Sequence, residues 1–167
     1  MELQHDTEDT MEELSFWDAA FPFLESLSKK GCKFLLIGNI ASKYHGLRVE
    51  KCEVDILVSS EETDMCLLFD TLEEFAWGQG KKREGEVCSY SSFYLSIPLH
   101  EGAIDIINET PGLDFTEAFG RALNVKFGKL SMKVVHRDDL IRNKSLLDDP
   151  RHLDEAIELS MLSSFDV

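Results

Sequence analysis

The stretch Phe34 to Val58 reads FLLIGNIASKYHGLRVEKCEVDILV, and it decides the fold class. Lys33 to Ile37 is a short apolar run, read as a buried strand. Gly38-Asn39 ends it. Ile40 to His45 fits a short helix closed by Gly46. Glu53 to Val58 is a second strand, rich in β-branched residues. Strand, helix and strand in one short segment describe a helix packed on a sheet.

The flanks extend that pattern. Upstream, Leu14, Trp17, Ala20, Phe21, Leu24 and Leu27 recur at helical spacing. Pro22 is expected to break this stretch or to start its second piece. Gly31 after Lys29-Lys30 is a helix stop. Residues 1–10 carry Glu2, Asp6, Glu8 and Asp9 with few apolar partners, and read as a flexible acidic tail. Residues 11–167 then form one domain.

Downstream, Ser60-Glu61-Glu62 opens a helix reaching about Ala76, with Met65, Leu68, Phe69 and Leu72 on one face. Gly78 to Gly85 is a turn region. Glu86 to Tyr94 and Tyr94 to Leu99 read as a hairpin, and Ala103 to Ile107 as a further strand. Pro111-Gly112 turns the chain, and Phe115 to Leu123 reads as helix. Val125 to Phe127 and Leu130 to Val135 pair around Gly128-Lys129. Asp138 to Leu147 is helical. Pro150 starts a last helix, with Leu153, Ile157 and Met161 expected to face inward. The sum is a mixed α/β (α+β) domain: a mixed central sheet with helices packed on it, one N-terminal and others C-terminal.

Composition narrows the function classes. Lys and Arg number 17 against 32 Asp and Glu, a net charge of −15. Such a surface repels nucleic acid and anionic lipid in general. No apolar run is long enough to span a bilayer. The acidic start, Met1-Glu2 to Glu12-Glu13, is unlike a signal peptide. Cys32, Cys52, Cys66 and Cys88 form no CxxC pair, and read as thiols of a reducing cytoplasm. His45, His100, His136 and His152 show no ligand spacing. Lys81-Lys82-Arg83 reads as a solvated loop or as a substrate-contacting one.

Three features form a chemical pattern. Gly38-Asn39, between a strand and a helix, permits close backbone approach and offers N–H groups to a triphosphate; a plain tight turn looks the same. Glu53 and Asp55, at i and i+2, project from one face of a strand. Two such carboxylates repel unless a cation sits between them, although a solvated strand face gives the same alternation. Asp105 interrupts the apolar run Ala103 to Ile107. If the two strands are neighbours, it completes a three-carboxylate cluster able to hold one or two Mg2+ ions.

Phe34 to Val58 resembles the start of the nucleotidyltransferase domain of the DNA polymerase β superfamily. It is most similar to small bacterial proteins related to the toxin of abortive-infection toxin–antitoxin pairs. Gly38 matches the family's first glycine, His45-Gly46 its turn, Arg48 its arginine, and Glu53 and Asp55 its carboxylate pair. Asp105 matches the later single carboxylate. Pro111 to Phe115, Leu130 to Val135, Asp139 to Lys144 and Leu153-Asp154 continue the likeness over about residues 30 to 160. The resemblance implies that Lys144 approaches the nucleotide phosphates.

That likeness leads to an expected activity. A Mg2+-dependent (or Mn2+-dependent) enzyme would transfer a nucleoside monophosphate from an NTP to an acceptor hydroxyl. Glu53, Asp55 and Asp105 would hold metal, and Gly38, Asn39, Arg48 and Lys144 would bind nucleotide. The acceptor would be a small molecule, a protein side chain or an RNA end, and a homo-oligomer is open. The chain also departs from the family pattern. Asn39 replaces a small residue, Lys51 a threonine and Glu53 an aspartate, and one extra methylene moves a carboxylate by about 1.5 Å. These departures motivate an alternative: a catalytically degenerate protein on the same fold, holding a basic partner as an antitoxin or regulatory subunit does.

Overall fold

Four buried residues, Phe34–Ile37, form strand β1 at the middle of the sheet. The computed structural model describes residues 10–50, 53–75 and 92–162. The acidic residues before Thr10, Lys51, Cys52, the Gly78–Gly85 turn with its basic run, Cys88 and the first arm of the expected hairpin lie outside these.

Helix α1 (Thr10–Lys29) precedes β1, and α2 (Gly38–Tyr44) follows it. Then come β2 (Val54–Val58), α3 (Glu62–Glu74), β3 (Tyr94–Pro98) and β4 (Ala103–Ile107). The chain continues through α4 (Phe115–Arg121), the hairpin β5 (Leu123–Phe127) and β6 (Leu130–Val134), then α5 (Arg137–Ser145) and α6 (Pro150–Met161). The fold is the mixed α/β one expected: a six-stranded sheet in the order β3-β4-β2-β1-β6-β5. β1 runs antiparallel to β2 and parallel to β6, while β2 and β4 run parallel. The outer pairs β3–β4 and β5–β6 are antiparallel.

Alternation sets the two faces of the sheet. Val54, Ile56 and Val58 on β2 are buried, as are Ile104 and Ile106 on β4. Helices α1 and α3 pack on each other beneath Phe23 and Phe75, whose rings meet edge to face at 5.7 Å. Helices α5 and α6 form a second pair, and α2 lies against β1, β2 and α5.

Three local expectations are corrected. Pro22 does not break α1, which begins at Thr10 and runs through it to Lys29. Pro22 is exposed, while Ala20, Phe23, Leu24 and Leu27 form a continuous buried face around it. Burying each large apolar side chain is worth about 1.5–3 kcal/mol, so together they outweigh a proline cost of about 3 kcal/mol. Leu123 starts β5 instead of ending α4, because Ala122 is extended and Leu123 pairs with Val134.

The third correction concerns α6. Leu153, Ile157 and Met161 do not face inward; all three are exposed. The inward side is built from Ala156 and Leu159, with half-buried His152 and Glu155 beside them. Glu155 turns in because buried Lys144 on α5 requires a counter-charge there. Arg137 ties down the far end of α6 by donating to the Leu159 and Leu162 carbonyls.

These faces predict opposite mutational outcomes. Leu159→Ala should lower unfolding free energy by about 2–5 kcal/mol. Leu153→Ala should stay within about 0.5 kcal/mol of the parent in chemical denaturation.

Candidate functional site

The site grows from one row across the sheet. In register, Ile37 of β1 faces Asp55 of β2, Asp55 faces Asp105 of β4, and Asp105 faces Ser96 of β3. Residues in one such row share a sheet face. The parallel β2–β4 pairing therefore brings together two carboxylates that lie far apart in sequence. The interleaved residues, Val54, Ile56, Ile104 and Ile106, point to the buried opposite face.

Gly38 lies at the end of this row. Its φ is +59°, a left-handed value that favours glycine. A Cβ built there would fall 1.9 Å from Asp55 Oδ2. The absent side chain is thus what lets the carboxylate sit against the β1–α2 junction. The Asn39 N–H donates to Asp55 Oδ2 at 3.4 Å, a long and weak contact.

Burial is the first cause that lifts the Asp55 carboxyl, to about 6. The Asn39 N–H opposes this, Asp105 and Glu53 add repulsion, and Lys144 offsets part of it. Asp105 has its own deficit: Oδ1 is buried and has no hydrogen-bond partner among the described residues. The exposed Tyr94 phenol reaches this edge. Ser96 bonding lowers its pKa, but burial and its hydrogen bond to Asp105 outweigh that and raise it.

The other expected site residues fall in distinct places. Glu53 is half-buried just before β2, close enough for its charge to act on Asp55. Arg48 is exposed in the loop after α2. Lys144 is 1% exposed, and its Nζ donates to Glu155 Oε2 at 2.6 Å. Burial raises the Glu155 carboxyl, but bonding to Lys144 and to His152 brings it below its usual range. His45 Nε2 donates to the Val135 carbonyl at 2.8 Å, tying the end of α2 to the end of β6. Burial, partly offset by that bond, pushes the His45 pKa down.

Tyr94 and Glu155 escaped the sequence reading. Tyr94 carried no signal, because its relevance depends on the β3–β4 register. Glu155 carried one: at helical spacing it falls with His152 and Leu159, opposite the larger apolar residues. The loop after β4 is also fixed from α5. Asn143 donates to Thr110 Oγ1 and to the Pro111 carbonyl, both at 2.8 Å. A cleft of about 440 Å3 opens at the far ends of β2 and β4, lined by Leu57, Ser59, Asn108, Asp114 and Phe115. It begins two residues beyond Asp55, about 7 Å along the strand.

Among the described residues, no group of three or more His, Cys, Asp and Glu side chains is placed to hold a metal ion. Nor is any helix among them long and apolar enough to cross a membrane. The chain matches no family model and no curated protein.

The raised Asp55 pKa fixes a sign. Its folded value of about 6 exceeds the reference 3.8, so the folded state holds the proton more tightly. The contribution of Asp55 to metal-free stability should therefore fall as pH rises from about 4 to about 6. Asp55→Asn should relieve this by about 2–3 kcal/mol near pH 7.5, and by almost nothing near pH 4, in chelator-treated thermal melts.

Proposed function

We propose that this chain is a nucleotidyltransferase, moving a nucleoside monophosphate from an NTP to an acceptor hydroxyl. The observation that carries this reading is the direct pairing of Asp55 and Asp105 across β2 and β4, beside Gly38. Two adjacent carboxylates, one with an orphaned buried oxygen and the other with a raised pKa, form an anionic seat short of positive charge.

A divalent cation fits that shortage. Mg2+ takes one or two protein carboxylates and fills its remaining positions with water and substrate phosphate oxygens. A pair of aspartates therefore meets its needs without a third protein ligand. Asp55 and Asp105 would hold Mg2+ or Mn2+, with Glu53 at the margin. When bound, the ion would neutralise charge on the triphosphate.

The chain's own groups supply the rest. Gly38 lets the Asp55 carboxylate sit against the β1–α2 junction. Asp105 would accept the proton of the acceptor hydroxyl while the acceptor oxygen bonds to the α-phosphorus and pyrophosphate departs. Lys144 contributes fixed positive charge behind Asp55, held in place by Glu155. Arg48 and Asn39 would contact the triphosphate.

One observation favours the second reading, a degenerate protein that binds a partner without catalysis. The Lys144 ammonium is already committed to Glu155 and is almost fully buried. In that reading the ion pair is structural, and the acidic surface holds a basic protein.

Ligand-dependent stability separates the two. An NTP with Mg2+ at ten times its Kd adds about 1.4 kcal/mol, a melting shift of roughly 3–5 °C for a chain of this size. Asp55→Asn and Asp105→Asn should each abolish that shift. No shift with any of the common NTPs at millimolar concentration would exclude the transferase reading.

A further inference from the structure

Helix α6 has a second apolar face, turned away from the core. Leu153, Ile157 and Met161 recur every fourth residue, so they stack along one side of the helix. They are 47%, 46% and 77% exposed. Single exposed apolar residues are ordinary, but a continuous row opposite the packed face is not.

The borders of the row give it a sign. At 3.6 residues per turn, the exposed carboxylates Asp154 and Glu158 line one edge, with Arg151 beyond them already paired with Asp149, and Ser160 lines the other. An exposed row of this spacing fits a second amphipathic helix laid along it. Charge then selects the occupant. Two copies of this chain pairing antiparallel about Ile157 would set each Asp154–Glu158 edge against the same edge of its mate. Each copy also carries −15 overall, which opposes self-association. A helix with Lys or Arg beside its apolar row would instead neutralise the acidic edge.

We propose that the Leu153–Ile157–Met161 face of α6 docks a basic amphipathic helix from a different protein. This surface is separate from the acidic pair, because the inward side of α6 holds Glu155 against Lys144 while the outward side carries the row. It stands whether or not the chain transfers nucleotides.

The test uses the full chain and a displayed library of helical peptides of about 18 residues, roughly 27 Å long. Each peptide has a fixed leucine row, with its flanking positions varied among Lys, Glu, Gln and Ser. Selected peptides should be enriched in flanking Lys, and Leu153→Ser or Ile157→Ser should weaken them by about tenfold or more. Both variants should keep the parent melting temperature. Failure to select any peptide would overturn the proposal, as would flanks without Lys enrichment or binding indifferent to both substitutions. A wild-type dimer in sedimentation that Ile157→Ser dissociates would overturn it too, since a second copy would then be the occupant.

Discussion

Two like charges face each other in the middle of a sheet whose neighbouring positions are apolar, and the surroundings of the site are organised around that pairing. Asp55 and Asp105 are in register on parallel strands, so neither can move away without breaking the ladder. The fold answers with what it has. Gly38 removes a side chain to make room, Asn39 offers an N–H, and Lys144 supplies a charge from the α5 side. None of these is strong: the hydrogen bond is long, and the lysine is shared with Glu155. What remains is a deficit of positive charge at a carboxyl that burial, first of all, and then the charges of Asp105 and Glu53 hold raised.

That deficit is costly in an isolated chain, so a physical reason for keeping it is needed. Structural carboxylates in a core are normally paired or neutralised. Asp139 shows the ordinary charge solution: Arg121 binds one of its oxygens at 2.6 Å, although the other is buried without a partner among the described residues. Among the described residues, Asp55 and Asp105 have no comparable basic partner, and both lie on the face next to the β1–α2 junction. An uncompensated pair of this kind is what the proposed cation would complete.

Much of this was legible in the sequence, and the losses are instructive. Alternation within Glu53 to Val58 and Ala103 to Ile107 marked both strands and singled out Asp55 and Asp105 as the polar interruptions. What no local pattern could state was that the strands are neighbours in matching register; that depends on the long connection through α3 and β3. Pro22 misled because its local cost was visible while the burial of Phe23, Leu24 and Leu27 was not. The α6 face misled for the reverse reason. Leu153, Ile157 and Met161 are three of the four large apolar side chains on the helix, yet the counter-charge demanded by Lys144 turned Glu155 inward and rotated them to the surface. Helical periodicity finds two faces, and only tertiary partners decide which is inside.

The proposed function requires the Asp55–Asp105 pair to bind a cation. Its most direct test is a carbon-detected NMR titration of the two side-chain carboxyls, with and without saturating Mg2+. Without metal, Asp55 should titrate at about 6. With Mg2+ its midpoint should fall into or below the ordinary aspartate range, near 4 or lower. An Asp55 midpoint near 4 in both titrations, unmoved by the ion, would rule out a cation seat at this pair.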